Sequence, residues 1–212
     1  MVEKYKMRNA YRKRQTDHRG FSIIEMLTTV LIAGALTAMA VPATLSVARK
    51  LRSGGDIREI NGAVALAKMR AAADFTNARV YADLSGNTFR VERWDKSGSW
   101  ITEGPVQPLS TGVGFGYGSL TSPPPNTQAS IGQAALCRNS AGATVADTAC
   151  VLFNSRGVPV DSATTPPWSG APTADGSLYV TDGSSVYAVT VSATGVMRTW
   201  RTDTSAASWN RR

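Results

Sequence analysis

The sequence predicts an α+β protein in which a long N-terminal helix packs on a head of antiparallel β-sheets. Three observations carry this expectation. Residues 21–48 are apolar apart from one charge, Glu25. Residues 56–76 then place apolar side chains at spacings of three and four, the period of a half-buried helix. From 77 to 212 the chain breaks into short alternating runs separated by Gly-, Asn- and Asp-rich turns, the pattern of antiparallel strands. A length of 212 residues holds one such domain together with an anchor.

The N-terminal flank comes first. The formal net charge is +8, and residues 1–20 carry seven basic side chains against two acidic ones, so most of the basicity sits there. Beside an apolar span, such a flank reads as cytoplasmic under the positive-inside rule, which places everything after about residue 50 on the outer side. His18, the only histidine, lies in the flank, so Ser-His and Cys-His nucleophilic sites and His-ligated zinc are excluded downstream. No metal or other cofactor is expected. The two cysteines, Cys137 and Cys150, lie in the outward part and suggest one disulfide, the alternative being two free thiols.

The apolar run follows. It exceeds the roughly 20 residues a bilayer-spanning helix needs. As a plain anchor it leaves Glu25 unexplained, because a charged side chain costs on the order of 2.5–3.5 kcal/mol at the centre of a membrane helix, and less near an end. As a secretory signal it offers Ala38-Met39-Ala40 as a cleavage site, but the apolar run continues beyond it. A third reading takes the residues together. Gly20-Phe21-Ser22-Ile23-Ile24-Glu25 resembles the cleavage and methylation site of type IV pilins and type II secretion pseudopilins. The resemblance implies that a prepilin peptidase cuts after Gly20, leaving residues 1–20 as a leader. It implies N-methylation of the new amine on Phe21. Glu25 becomes the fifth residue of the mature chain, where it can meet the amine of a neighbouring subunit; snorkelling, or pairing with its own amine, is the alternative. A leader of 20 residues is long for a pilin beginning with Phe, so Met7 is a second possible start.

Beyond the span, Pro42 is expected to kink the helix without ending it. Ser53-Gly54-Gly55 reads as a flexible joint, since each glycine weakens a helix by about 1 kcal/mol relative to Ala. Ile57, Ile60, Val64, Ala67, Ala71 and Phe75 form the buried stripe of the amphipathic segment. Strands are expected at 78–84 and 88–94, joined by Ser85-Gly86-Asn87, and at 100–102 after the turn 95–98. In 112–118 every second residue is glycine, which predicts close approach of another element, the long helix being the candidate; the dinucleotide motif G-x-G-x-x-G does not fit, because position 117 is tyrosine. The stretches 121–130 and 161–175 read as loops. Further strands are expected at 151–153, 178–181, 186–191 and 196–200, with turns at 154–157, 182–183 and 193–195.

The later motifs resemble the GspH/FimT group of minor pilins and pseudopilins: Asn77-Ala78-Arg79-Val80, Phe153-Asn154-Ser155-Arg156-Gly157 and Val189-Thr190-Val191-Ser192-Ala193-Thr194-Gly195-Val196. The domain organisation this implies is a leader 1–20, an assembly and transmembrane half-helix 21–52, and an exported head 53–212 (helix 56–76, then strands within 77–212). The function it implies is structural: a minor pilin or pseudopilin of the bacterial inner membrane, N-terminus cytoplasmic and head periplasmic, which joins a filament at or near its tip and helps start assembly. Its partners would be other pilins, prepilin peptidase, the inner-membrane assembly platform and, before assembly, membrane lipid. The alternative is DNA binding during uptake, through Arg198, Arg201, Arg211 and Arg212 near Trp200 and Trp209. The DNA-binding pattern Gly-Arg-x-Arg lacks its first arginine here, reading Gly195-Val196-Met197-Arg198. An enzyme is not expected: Asp161, Asp175, Asp182 and Asp203 sit in turn-like or polar contexts.

Overall fold

A computed structural model describes residues 20–162, 170–206 and 208–212, without the side chains of Pro42, Ala43 and Ser46. The leader with His18 and Met7, and the centre of the second Pro-rich loop, lie outside the described residues. The chain divides into two compact units, Met1–Thr44 and Leu45–Arg212.

A single helix, α1, runs from Ile23 to Ala73. It passes through Pro42 without losing helical assignment, and equally through Ser53-Gly54-Gly55. The expected flexible joint is therefore helical. Ser53 is buried, and its single hydroxyl proton lies within reach of two acceptors, the Arg49 carbonyl (3.1 Å) and Asp182 (3.0 Å). The helix ends earlier than the stripe predicts. Thr76 N–H returns to the Ala71 carbonyl at 3.1 Å, the closing bond of a Schellman cap. Phe75 occupies the left-handed position of that cap with φ 50° and is 82% exposed, so it leaves the core stripe. The other five stripe residues are buried to 4% or less.

Among the described residues ten strands follow, in two antiparallel sheets. The first has the order β3-β2-β1-β5-β6 and comprises β1 (Ala78–Asp83), β2 (Thr88–Trp94), β3 (Trp100–Pro108), β5 (Thr148–Phe153) and β6 (Pro159–Val160). The second has the order β10-β9-β8-β7-β4 and comprises β4 (Gly114–Phe115), β7 (Gly176–Thr181), β8 (Ser185–Val191), β9 (Met197–Asp203) and β10 (Asn210–Arg211). One face of each sheet packs on the helix. Val80, Phe89, Val151 and Phe153 from the first sheet share a core with Leu178, Val180, Val189 and Val191 from the second and with Ile60 and Val64 of α1. Burying each such aliphatic side chain contributes roughly 1.5–3 kcal/mol.

The opposite faces are covered by the irregular stretch between β4 and β5. Cys137 is joined to Cys150 by a disulfide with Cα atoms 5.0 Å apart, which pins this stretch across the first sheet. Gln133 holds it to the second sheet through both Tyr179 backbone groups, at 2.8 and 2.9 Å. The glycine run 112–118 meets strand and turn residues and not the helix: a Cβ at Gly114 would lie 3.1 Å from the Asn87 side chain, and one at Gly116 would face Thr181.

Candidate functional site

The N-terminal segment begins with Gly20 and Phe21 outside the helix. The Ser22 carbonyl accepts the first helical bond, from Met26 N–H at 3.1 Å, and Glu25 falls in the first turn. A carboxylate there faces the positive end of the helix dipole, which favours it by about 0.3–1 kcal/mol. From Ile23 to Val41 the helix is long and apolar enough to cross a membrane. Its large apolar side chains, from Phe21 through Val41, are all exposed. An exposed apolar surface of that extent marks a membrane or protein interaction site. The four threonines among the described residues of this unit, Thr28, Thr29, Thr37 and Thr44, each donate to a carbonyl three or four residues back, at 2.7–2.9 Å. Their hydroxyls are thus satisfied inside the helix, as an apolar surrounding demands.

The four C-terminal arginines are divided by strand register. Tyr187 lies opposite Arg201 and Ala188 opposite Trp200. Arg201 therefore shares the helix-facing side of the second sheet with Tyr187. Its guanidinium lies 5.7 Å from that ring and donates to Asp203 at 3.0 Å. Arg212 reaches the same ring at 5.9 Å. Arg198, opposite Thr190, and Arg211, opposite Trp200, take the other face. The two tryptophans are committed to packing: Trp200 is buried with its Nε1–H on Thr190 at 2.9 Å, and Trp209 donates to the Ser122 carbonyl at 3.0 Å. The structure thus brings Arg201 and Arg212 together and separates Arg198 and Arg211 from them.

Several polar sites are invisible in the sequence pattern. Arg79, 4% exposed, is held by Glu92 (2.6 Å), by the Arg138 carbonyl (2.6 Å) and under the Trp100 ring (3.8 Å). Burial pulls its pKa below the ordinary arginine value even against the field of Glu92. Arg90 pairs with the other oxygen of Glu92 at 2.7 Å. The disulfide places the residue next to Cys137 over this cluster. Asp56, buried on α1, accepts from Ser110 Oγ at 2.7 Å. At Asp182 burial alone would raise the pKa; donors from Ser185, Ser184 and Ser53 outweigh it and hold the carboxyl below its ordinary range. Lys68 donates to the Gly195 carbonyl at 2.9 Å and lies against Gly157. Asp182 and Lys68 look in the sequence like an ordinary turn acid and an ordinary helix charge off the apolar stripe, and nothing in the pattern pairs them with their partners.

A groove of about 300 Å³ lies between α1 and β2–β3, lined by Gly62, Leu66, Arg90, Glu103 and Pro105 among others. Among the described residues no group of three His, Cys, Asp or Glu could hold a metal ion. No family model, characterised protein or solved structure matches the chain.

Proposed function

We propose that this protein is a minor pilin or minor pseudopilin, a structural subunit of a type IV pilus or type II secretion pseudopilus. The observation that carries the reading is Gly20-Phe21-Ser22-Ile23-Ile24-Glu25 set directly before a helix whose apolar side chains are exposed. The long helix followed by two antiparallel sheets agrees with it. In this reading prepilin peptidase removes residues 1–20 and the amine of Phe21 is methylated. The apolar half of α1 is the membrane anchor before assembly and the filament contact after it, and the head is periplasmic. Glu25 then pairs with the N-terminal amine of a neighbouring subunit, which offsets the cost of a carboxylate in an apolar surrounding and fixes register.

The test replaces Glu25 with valine. Glu25→Val lowers the cost of insertion, so the variant is expected to insert and to be processed. It is expected to incorporate into filaments several-fold less than wild type when the two are expressed together. Equal incorporation in that competition would remove the pairing role.

A further inference from the structure

We infer that the end of the head nearest the anchor along the chain is a headgroup site for anionic phospholipid, built from Arg49 and Lys50 of α1 together with Arg201 of β9 and Arg212 beyond β10. The inference rests on the anchor reading of α1 but not on processing or assembly.

The fold gathers Lys50, Arg201 and Arg212 from distant parts of the sequence, and Arg49 precedes Lys50 on α1. Tyr187 O–H donates to the Lys50 carbonyl at 3.4 Å, which fixes β8 against the helix at that point. The Arg201 and Arg212 guanidinium groups lie over the same Tyr187 ring, at 5.7 and 5.9 Å. Arg212 is held there because its N–H donates to the Thr199 carbonyl at 3.0 Å and Thr199 Oγ1 donates to the Arg212 carbonyl at 3.1 Å. Arg49, Lys50 and Arg212 are exposed and Arg201 is half-buried. Two carboxylates face the group. Asp203 binds Arg201 and the Ser185 hydroxyl, and Asp182 is taken up by Ser53, Ser184 and Ser185. Among the described residues Arg49, Lys50 and Arg212 form no ion pair. The Arg201 Nε–H is buried without a partner. The site therefore keeps an excess of positive charge and an unused donor.

Position selects the ligand. Arg49 lies five residues along the chain from Thr44, where the apolar unit ends. Exported loops next to a span are ordinarily poor in Lys and Arg. Here Arg49, Lys50 and Arg52 stand together on that side, and two further arginines are brought to the same place. The phosphate most abundant beside the end of a membrane span is the lipid headgroup. Arginine meets phosphate through two parallel hydrogen bonds, which a free surface charge does not require. A nucleic acid fits less well, because Arg198 and Arg211 lie on the opposite face of the sheet.

The test uses the full chain purified in dodecyl maltoside and native mass spectrometry. Separate arms contain dioleoyl phosphatidylglycerol, dioleoyl phosphatidylcholine, inorganic phosphate or a short DNA duplex, at equal concentration. Phosphatidylglycerol is expected to bind in preference to phosphatidylcholine. Each basic side chain near a headgroup is worth about fivefold, so Arg201→Ala/Arg212→Ala is expected to reduce that binding by at least about fivefold, and Arg201→Lys/Arg212→Lys, which keeps the charge and loses the fork, to fall between the wild type and the alanine variant. Because Arg201 also orders Asp203, Arg49→Gln/Lys50→Gln provides an independent variant on exposed side chains, with a loss of similar size expected. The basic N-terminal flank contributes equally in wild type and variants and cancels from the comparison. A phosphatidylglycerol preference unchanged in both neutralised variants would overturn the proposal. So would inorganic phosphate or the DNA duplex binding as tightly as the lipid. An uncut or unassembled protein would still show the preference, so this result and that of the processing experiment fail separately.

Discussion

Lys68 ties three parts of the head together through one side chain. Its ammonium caps the Gly195 carbonyl, and its methylenes fill the space beside Gly157. Gly195 has φ 78°, and a Cβ there would lie 2.9 Å from the Gly157 carbonyl oxygen. Only glycine meets both constraints. Gly195→Ala is expected to destabilise the head by at least about 1 kcal/mol, read as a lower denaturant midpoint with an unchanged slope. This contact brings the Phe153–Gly157 and Val189–Val196 stretches to the same lysine. The turn glycines were legible from the sequence, but the lysine was not, because in the helical pattern it is one more charge off the stripe. Asp182 gives a second residue-scale test. Its folded pKa lies below the ordinary value, so its stabilising contribution is present above about pH 4 and is lost as pH falls through the lowered folded value. Asp182→Asn is expected to lower stability at pH 7 by roughly 1–2 kcal/mol and to flatten the acid limb of stability below about pH 4, measured by denaturant titration across acid pH.

At the scale of elements, the strands whose sequence alternates cleanly are the ones whose bounds agree best. β2 runs from Thr88 to Trp94, as its alternation predicts, and β8 differs by one residue. β3 extends to Pro108, well past the expected 102, because an edge strand exposed along much of its length has no apolar alternation to mark it. β5 begins at Thr148, since its first residues, Thr-Ala-Cys, are small and buried on both faces. β6 and β10 are two residues long and depend on their neighbours for pairing, which no local pattern encodes. Helix α1 departs in the other direction. Its length survives Pro42, Gly54 and Gly55, although propensity disfavours each of them; beside the two glycines the buried Ser53, Asp56 and Ile57 hold the helix against the head. A Cβ at Gly54 or Gly55 would meet nothing within 4 Å. Gly54→Ala/Gly55→Ala is therefore expected to stabilise the head by about 0.5–1 kcal/mol for each glycine, seen as a higher melting temperature. A lower melting temperature would mean that the helix is not continuous there in solution.

For the whole molecule, the long apolar helix with two antiparallel sheets, the single disulfide and the absence of any histidine beyond the flank were readable from composition and spacing. The cover over the outer sheet faces was not, because a stretch rich in Gly, Pro, Ser and Asn reads as loop whether or not it packs. The C-terminal arginines illustrate the same limit: four charges close in sequence are divided between two faces by strand period, and only register reveals it. The account of the molecule as a pilin-like subunit depends most on the bond between Gly20 and Phe21. The direct measurement is intact mass and N-terminal sequencing of the full chain produced in bacterial cells together with an active prepilin peptidase. The expected product begins at Phe21 and carries one added methyl group on its amine, and a bulky replacement of Gly20 leaves the chain uncut. A product beginning at Val41, or an uncut chain beside a control pilin that is processed, would contradict the account.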